Sequence, residues 1–346
     1  MERAVIKQRK PSFSAQGKGK HVYTVTLFLL FPILLGVFLC GIRLGSVSMD
    51  VSSFFGGLFR RAGYETETVI LYAVRLPRVI GALLAGVGLS LSGLLLQSIT
   101  DNALAGPNMI GVNAGAGFLQ VLFLRFFPTA ILLLPFASMG GAFLATLLIL
   151  LCAGRTGNSK SSLILAGVAL SSVLSAGISC FTLIDDDLLS AYNAFSVGGL
   201  SGVGFDVLRV PAVVIAVALV FTWLLSPRFS LLLLGDTSAE SLGMNPRRLR
   251  LLAVILASAS AGAAVSFAGL LGFVGLMVPH IARALVGHRV ERLVPVTVML
   301  GGITVILADM LGRVLAAPTE IPVGIVMAMI GAPFLLFLLF RRRDSL

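Results

Sequence analysis

The chain contains few charged residues. Only 12% of its 346 residues are Asp, Glu, Lys or Arg, whereas a soluble domain carries roughly a quarter of its residues as charges. Hydrophobic residues make up 57% of the sequence. This balance excludes an ordinary water-soluble domain and predicts a polytopic membrane protein.

Cysteine and histidine are also scarce, with three residues of each. Cys40, Cys152 and Cys180 lie far apart in or near the ends of apolar segments, a pattern that excludes a disulfide framework. No Cys or His residues have the spacing of metal ligands, so we expect no metal centre, no haem ligation and no cofactor. A metal that this protein handles would arrive already chelated.

The sequence also lacks a nucleotide-binding motif. The segment around Lys160 resembles a phosphate loop, but Ser159 stands where the Walker A pattern requires a glycine immediately before the lysine. No Ser-His-Asp or two-carboxylate constellation is visible. We therefore expect that the chain is not an enzyme and that its energy comes from an ion gradient or from another subunit.

Long apolar segments fill most of the chain. A membrane-spanning helix needs about 20 mostly apolar residues. An all-α bundle of about ten transmembrane helices is predicted, with nine helices and a re-entrant piece as the alternative, because the eighth segment is short and contains Pro279, His280 and Arg283. The predicted spans are 22–42, 79–98, 108–126, 130–152, 161–184, 209–225, 249–268, 273–287, 293–316 and 322–340.

Basic residues are unevenly divided between the two sides that ten spans create. With the N-terminus inside, 18 of the 26 Lys and Arg residues fall in inside segments, as the positive-inside rule requires. The sequence thus predicts a cell-membrane protein with both termini in the cytoplasm and a basic cytoplasmic tail at residues 1–21. The basic residues are dispersed between spans, so the net charge of +11 indicates orientation and not a nucleic-acid partner.

Three arginines lie at outer span ends, against this charge rule. Arg75 and Arg78 belong to the sequence RLPR, and Arg313 ends the ninth span. They could anchor to lipid headgroups, or they could form a cationic face for an acidic partner or substrate. Asp309 precedes Arg313 by four residues, so we predict an ion pair that supports the Arg313 side chain.

The one substantial polar segment between spans runs from Ser226 to Arg250. We predict that the part up to Leu233 is only the exit from the sixth span. A short helix over 237–242 would be ended by Gly243, and a second short helix would be opened by Asn245 and Pro246. The segment is either a solvated connector or a docking element that faces water.

Polar residues at two other span ends suggest simpler roles. The acidic run Asp185 to Asp187 is expected in a solvated loop after the fifth span. The sequence PHIAR, at 279–283, is expected to end and anchor the short eighth span. Glycines within the spans, such as Gly93 and Gly275, predict close helix packing.

Six sequence motifs follow one another along the chain. They are RLPRVIGALLAGVGLSLSGLLLQ (75–97), NALAGPNMIGVNAGAG (102–117), LILAGVAL (163–170), LGDTSAESLGMNPRRLR (234–250), AGLLGFVGLMVPHIAR (268–283), and LADMLGR followed by EIPVGIVMAMIGAPFLLFLL (307–339). In this order the motifs resemble those of the permeases of ABC importers for iron-siderophores, haem and vitamin B12. The resemblance covers residues 22–342, which are expected to form a single transmembrane permease domain.

The resemblance implies an architecture and a set of partners. It implies a bundle like that of the vitamin B12 importer permease, with a second permease subunit, two cytoplasmic ABC ATPase subunits and an extracytoplasmic solute-binding protein. A ferric siderophore is the expected cargo, with haem or cobalamin as alternatives. An ion-coupled secondary transporter is a different class that would need several intramembrane carboxylates, and Asp309 is the only clear one.

The resemblance also assigns roles to residues. Arg75, Arg78 and Arg313 would contact glutamates of the binding protein. Lys160 and Ser161 align with the cytoplasmic gate, although a snorkelling lysine is the alternative there. The segment 234–250 corresponds to the coupling helices that dock on the ATPase, with charges at Glu240, Arg247, Arg248 and Arg250 for register. The coupling residues are Asp236, Glu240, Leu242, Gly243, Arg247 and Arg248.

A weak inverted repeat is predicted as well. The sequence SLSGLLLQ of the second span and VSFAGLLGF of the seventh are faintly alike. By the predicted topology these spans cross the membrane in opposite directions, as the halves of an inverted repeat do.

Overall fold

The computed structural model describes residues 13–45, 49–100, 102, 105–107, 111–155, 160–233 and 235–343. Within these residues the fold is all-α, with one π-helical segment at Ile70–Arg75 and one 3-10 turn at Ile131–Leu133. The α-helices are α1 (Phe13–Arg43), α2 (Val51–Leu58), α3 (Glu65–Val69), α4 (Leu76–Thr100), α5 (Val112–Phe126), α6 (Leu134–Arg155), α7 (Lys160–Ile184), α8 (Asp186–Val197), α9 (Phe205–Leu232), α10 (Asp236–Ser241), α11 (Pro246–Ala268), α12 (Val274–Val286), α13 (Val290–Leu315) and α14 (Val323–Arg343).

Ten of these helices correspond to the ten predicted spans. In the described part of the chain, seven helices are long and apolar enough to cross a membrane. Three shorter apolar helices, at Val112–Phe126, Val274–Val286 and Val323–Leu338, complete the set. The prediction of an all-α bundle of about ten transmembrane helices is confirmed, and the short segment 273–287 is a helix.

The bundle has an inner group and an outer group of helices. Helices α4, α11 and α13 are mostly buried, whereas α1 and α7 expose long apolar faces. A helix that is apolar and exposed must meet lipid or another apolar surface. Helices α4 and α11 pack side by side and run in opposite directions, which is the arrangement that the weak inverted repeat requires; the repeat itself stays a prediction.

The two ends of the bundle differ in their polar residues. We call one the arginine end, because Arg75, Arg78 and Arg313 lie there beside the last turn of α1. We call the other the knob end, because residues 235–250 lie there. The chain alternates between the two ends, so that α4 begins at the arginine end and α13 finishes there.

Small residues allow helix α4 to touch two neighbouring helices through their backbones. A Cβ atom on Gly93 of α4 would lie 1.7 Å from the carbonyl oxygen of Gly275 in α12. A Cβ atom on Gly86 would lie 2.1 Å from the carbonyl oxygen of Gly301 in α13. No side chain fits at these distances, so the glycines are required by close packing, as predicted.

Helix α12 continues through its proline. The predicted span 273–287 is present as the helix Val274–Val286, which contains Pro279 and ends three residues after the PHIAR sequence at 279–283. Proline has no N–H to donate to the carbonyl four residues earlier, that of Gly275. The side-chain Nε2 of Gln97, on α4, donates to that carbonyl at 3.1 Å instead. The neighbouring helix therefore satisfies the group that the proline leaves unpaired.

The acidic run after the fifth span begins a helix. Asp185 is the N-cap of α8, and its side chain accepts hydrogen bonds from the backbone N–H groups of Asp187 and Leu188. Arg125, at the end of α5, lies 3.3 Å from the Asp185 carboxylate. The solvated-loop expectation is wrong for this run, because a capping carboxylate and two more acids in the first turn favour a helix start.

Candidate functional site

The polar segment at the knob end forms a short helix and a turn, which we call the knob (residues 235–250). Helix α10 spans Asp236–Ser241, and Gly243 follows with φ of +76°. The side chain of Asn245 then accepts the N–H of Arg248 at 3.1 Å and caps the next helix. The predicted short helix, glycine stop and capped restart are all present; Leu234 lies outside the described residues.

The second helix of the knob is not a separate short helix. It is the first turn of α11, which continues without interruption from Pro246 to Ala268. No glycine or proline follows Pro246 until the helix is deep in the bundle, and the apolar sequence from Leu251 onward favours one continuous span. Any force on the knob would therefore reach a core helix directly.

An internal ion pair holds the knob in place. The guanidinium of Arg250 contacts the carboxylate of Asp236, and the Arg250 side chain is buried. The N–H of Met244 also donates to the carbonyl of Ala239 at 3.1 Å. Arg250 was expected to offer its charge to a partner; the structure instead uses it to join α10 to α11.

The predicted coupling residues lie on the outer surface of the knob. Leu242 has 60% of its surface exposed. The charged residues Glu240, Arg247 and Arg248 are exposed in the same short segment, and an apolar residue within a polar rim is the usual arrangement of a protein interface. All six predicted residues are exposed: Asp236, Glu240, Leu242, Gly243, Arg247 and Arg248.

The end of α9 is packed, not a loose exit from the sixth span. The helix continues to Leu232, through Pro227. The hydroxyl of Ser230 donates to Glu291 at 2.8 Å and accepts the N–H of Val290 at 2.9 Å. The last turns of α9 are thereby fixed to the start of α13, beside the knob.

The predicted gate residues can be placed only by their backbone. Helix α7 begins at Lys160. The side chains of Lys160 and Ser161 lie outside the described residues, as does the loop 156–159 before them. Their role as a gate stays a prediction.

At the arginine end, Asp309 lies between two arginines. Its carboxylate accepts from Arg78 Nε at 3.0 and 3.2 Å, and Arg78 Nη2 lies 3.0 Å away. Arg313 Nε lies 3.0 Å from the other side of the carboxylate, so the ion pair expected from the spacing of four is present. Asp309 is 2% exposed, and one buried negative charge thus serves two positive charges from α4 and α13.

The same arginines bind the end of α1. Arg313 donates to the carbonyls of Leu44 at 2.8 Å and Gly41 at 3.1 Å. Arg75 donates to the carbonyl of Ile42 at 3.2 Å and to that of Arg43. The last carbonyls of a helix have no partner within it, and cations are favoured there by the helix dipole. The three arginines therefore join α1, α4 and α13.

A second carboxylate completes this cluster. Glu320, just before α14, accepts from Arg78 Nη1 at 2.7 Å. A cavity of about 200 Å³ opens beside it and is lined by Arg75, Arg78, Arg313 and Glu320, together with smaller contributions from the end of α1 and the π-helical segment. All three arginines are at least nine-tenths buried, so an incoming partner would reach them through this cavity.

Two polar contacts were not identified from the sequence. Glu320 pairs with an arginine 242 residues away, and Gln97 accepts from Arg283 Nη1 at 2.5 Å across 186 residues. Each is a polar residue at the end of an apolar run, which is a signal that could have marked it as a candidate. The partner could not have been named, because sequence spacing does not say which helices are neighbours.

The three cysteines lie on different helices and are exposed. Among the described residues, no group of three or more His, Cys, Asp or Glu side chains could hold a metal ion.

Comparison with known proteins identifies relatives along most of the chain. The FecCD transport family matches residues 33–341. The Fe(3+)-citrate import system permease protein YfmE of Bacillus subtilis is 37% identical over 271 residues, which are 78% of this chain and 81% of the relative. The hemin transport system permease protein HmuU of Yersinia pestis is 33% identical over 92% of this chain and 97% of its own.

The structural comparison agrees. An inward-facing structure of a metal-chelate type ABC transporter has a TM-score of 0.81 and 30% identity, and the match covers 92% of this chain and 99% of that chain. The PsaBC structure from Streptococcus pneumoniae, at 16% identity and a TM-score of 0.57, shares the fold. With its ten apolar helices and a family match across nearly all of its length, this chain is an integral membrane protein that belongs to the FecCD transport family.

Proposed function

We propose that this chain is the permease subunit of a bacterial ABC importer and that a ferric siderophore is its cargo. The observation that carries the proposal is the likeness, at 30% identity and over 92% of the chain, to a metal-chelate type ABC transporter. Relatives named for ferric citrate, ferric hydroxamate and hemin support a chelated-iron cargo. Haem, and then cobalamin, are the alternative cargoes of the same machinery.

In this proposal ATP hydrolysis takes place on two separate ABC ATPase subunits, and the knob is their docking element. A short helix that lies in a groove is a common mode of recognition between proteins. Exposed Leu242 would enter the groove, while Glu240, Arg247 and Arg248 would set the register. Because the knob includes the first turn of core helix α11, to which the Arg250–Asp236 ion pair joins α10, ATPase closure would bias the arrangement of the bundle.

The arginine end is the proposed docking site of an extracytoplasmic binding protein. Arginine recognises carboxylates through charge-assisted hydrogen bonds. The side chain of Glu320 is 26% exposed and forms an ion pair with Arg78, as a glutamate of a partner protein would. We suggest that an acidic residue of the binding protein enters the cavity and competes with Glu320, with Arg75 and Arg313 contributing positive potential.

This scheme places the knob end and both termini in the cytoplasm, with the complex in the bacterial cell membrane. The positive-inside distribution of Lys and Arg supports that orientation. A second permease subunit, either another copy or a related chain, would complete the transport path, and exposed apolar faces such as that of α7 leave room for it.

The test is transport by the native complex. The tagged chain would be purified from its host membranes with its partners, which mass spectrometry identifies, and reconstituted into proteoliposomes with ATP inside. We expect uptake of a radioactive ferric hydroxamate when the binding protein is added, and its loss with vanadate. Parallel measurements with ferric citrate, haem and cobalamin rank the cargo.

Two outcomes would contradict the proposal in different ways. Uptake driven by a proton or sodium gradient without ATP would replace the ABC importer with a secondary transporter. ATP-driven uptake of haem or cobalamin, but of no ferric chelate, would keep the importer and overturn the siderophore assignment.

The docking site has a separate test in Glu320→Gln. Removing the competing carboxylate should tighten binding of the binding protein about two- to tenfold, or about 0.4–1.4 kcal/mol. The measurement is surface-based binding kinetics on the permease complex in nanodiscs. Asp206→Asn, which removes an exposed carboxylate at the same end, is the control. Unchanged or weaker binding by Glu320→Gln would show that the acidic partner does not compete for Arg78.

A further inference from the structure

The short helix α2 carries an exposed apolar stripe. Val51, Phe55 and Phe59 lie at its start, its middle and its C-cap, and their surfaces are 53%, 47% and 66% exposed. Residues four apart lie on one face of a helix. The rings of Phe55 and Phe59 are stacked, with centroids 6.3 Å apart. The stripe is therefore a continuous apolar surface with no partner within the described residues.

The opposite face of α2 is held against α3, which fixes the direction of the stripe. Gly56 lies directly under the ring of Tyr64, and a Cβ there would be 2.6 Å from the ring. The Thr68 hydroxyl donates to the carbonyl of Gly57 at 3.1 Å. Because this face of α2 packs against α3, the exposed apolar stripe on the opposite face points away from α3.

Two contacts place α2 at the level where the spans end. The Tyr72 hydroxyl donates to the carbonyl of Leu58 at 2.9 Å, at the end of α2. Tyr72 is three residues from Arg75, which binds the last carbonyls of α1. Two side chains that are three residues apart thus link the end of α2 and the end of the spanning helix α1. Helix α1 exposes apolar side chains such as Leu39 near its end, and Leu44, just after the helix, is exposed as well.

Positive charge follows the stripe directly. Arg60 and Arg61 are both exposed. Arg60 adopts a left-handed backbone conformation, with φ of 51°, and its guanidinium lies over the Tyr72 ring at 4.6 Å from the centroid. Arginines next to an exposed aromatic stripe match the chemistry of a membrane interface, where aromatic rings sit at headgroup depth and basic side chains reach phosphates.

We propose that α2 is an interfacial membrane anchor. The stripe of Val51, Phe55 and Phe59 inserts at the boundary between headgroups and acyl chains, and Arg60 and Arg61 bind lipid phosphates. Continuity with the lipid-exposed surface of α1 favours a lipid occupant over a protein. The inference requires that the spans cross a membrane but does not depend on the importer assignment.

The test uses a tryptophan as a depth probe. Trp223 is the only tryptophan, so Phe59→Trp in a Trp223→Phe background gives a single signal. In nanodiscs of phosphatidylcholine and phosphatidylglycerol, brominated lipid should quench most of its emission, and bromine near the carbonyl end should quench more than bromine near the methyl end. Acrylamide should quench little. Thr66→Trp, at an exposed position on α3, is the matched control and should show the reverse.

Two results would overturn the anchor, and a third would overturn the phosphate contact. One is acrylamide quenching of the probe equal to that of the Thr66→Trp control, with no effect of bromolipid. Another is protection that appears only when the binding protein is added, which would make the stripe a protein interface. Phe55→Trp repeats the measurement if Phe59→Trp does not fold. Finally, Arg60→Gln with Arg61→Gln should reduce bromolipid quenching in anionic nanodiscs. Unchanged quenching would show that these two arginines do not bind lipid phosphates.

Discussion

Replacing Asp309 by Asn tests whether the arginine cluster holds the bundle together. The substitution keeps the shape of the side chain and removes its charge. In the native protein Asp309 is 2% exposed and is the counter-charge that Arg78 and Arg313 share. The substitution would leave these two arginines side by side at a buried site without that negative charge. Breaking a buried ion pair by removing one partner costs about 3–5 kcal/mol, because a charge is left uncompensated in a poorly hydrated site.

The contacts that remain in the variant place the expected cost in the lower part of that range. Arg78 keeps Glu320, and Arg313 keeps the carbonyls of Leu44 and Gly41. We therefore expect Asp309→Asn to lower the free energy of unfolding by about 3 kcal/mol, a value that the loss of one exposed charge could not reach. The ends of α1, α4 and α13 should loosen first.

The assay is unfolding by SDS in mixed micelles, followed by far-UV circular dichroism. Asp206→Asn is the matched control, because its carboxylate pairs with Arg209 at the surface of the same end and both side chains are more than three-quarters exposed. Surface pairs of this kind contribute about 0–1 kcal/mol. If Asp309→Asn were no more destabilising than Asp206→Asn, the arginine cluster would not stabilise the packing of the helices as its geometry indicates.

Two further substitutions test the knob and the helix core. Arg250→Gln should lower the free energy of local opening of α10 by about 1 kcal/mol, so that hydrogen exchange of its backbone amides becomes roughly fivefold faster. The control Arg248→Gln, at an exposed position, should leave those exchange rates nearly unchanged. Equal rates in the two variants would mean that the ion pair does not hold the knob. Gly93→Ala would place a methyl group 1.7 Å from a carbonyl oxygen and should cost about 1–3 kcal/mol in the SDS titration. Gly36→Ala is the control, because a methyl group there meets nothing within 4 Å. If Gly93→Ala were as stable as Gly36→Ala, the packing argument would be refuted.

Local sequence signals predicted much of the fold and of the knob. Apolar runs of membrane length gave the ten helices, since a backbone in lipid must satisfy its hydrogen bonds within a helix. Gly243, Asn245 and Pro246 marked the end of α10 and the start of α11, because stop and start signals act over a few residues. The Asp309–Arg313 pair was also predictable, as it depends only on spacing along one helix.

Other features could not be predicted, because distant parts of the chain decided them. Helix α12 runs through Pro279 with a hydrogen bond from the Gln97 amide, which comes from another helix. Arg250 appeared available to a partner until the fold placed Asp236 beside it. In each case the missing fact was which side chain would lie opposite.

Composition and periodicity by themselves determined that this protein is a membrane bundle with a water-facing knob, because hydrophobicity, helix length and capping are properties of short segments. Only the tertiary structure decided that Arg78 meets Asp309 and Glu320, residues 231 and 242 positions away. Apolar spans of similar length pack in many ways, so their hydrophobicity does not choose neighbours. The choice rests on close contacts such as that of Gly93 with Gly275 and on buried charges that are stable only when paired.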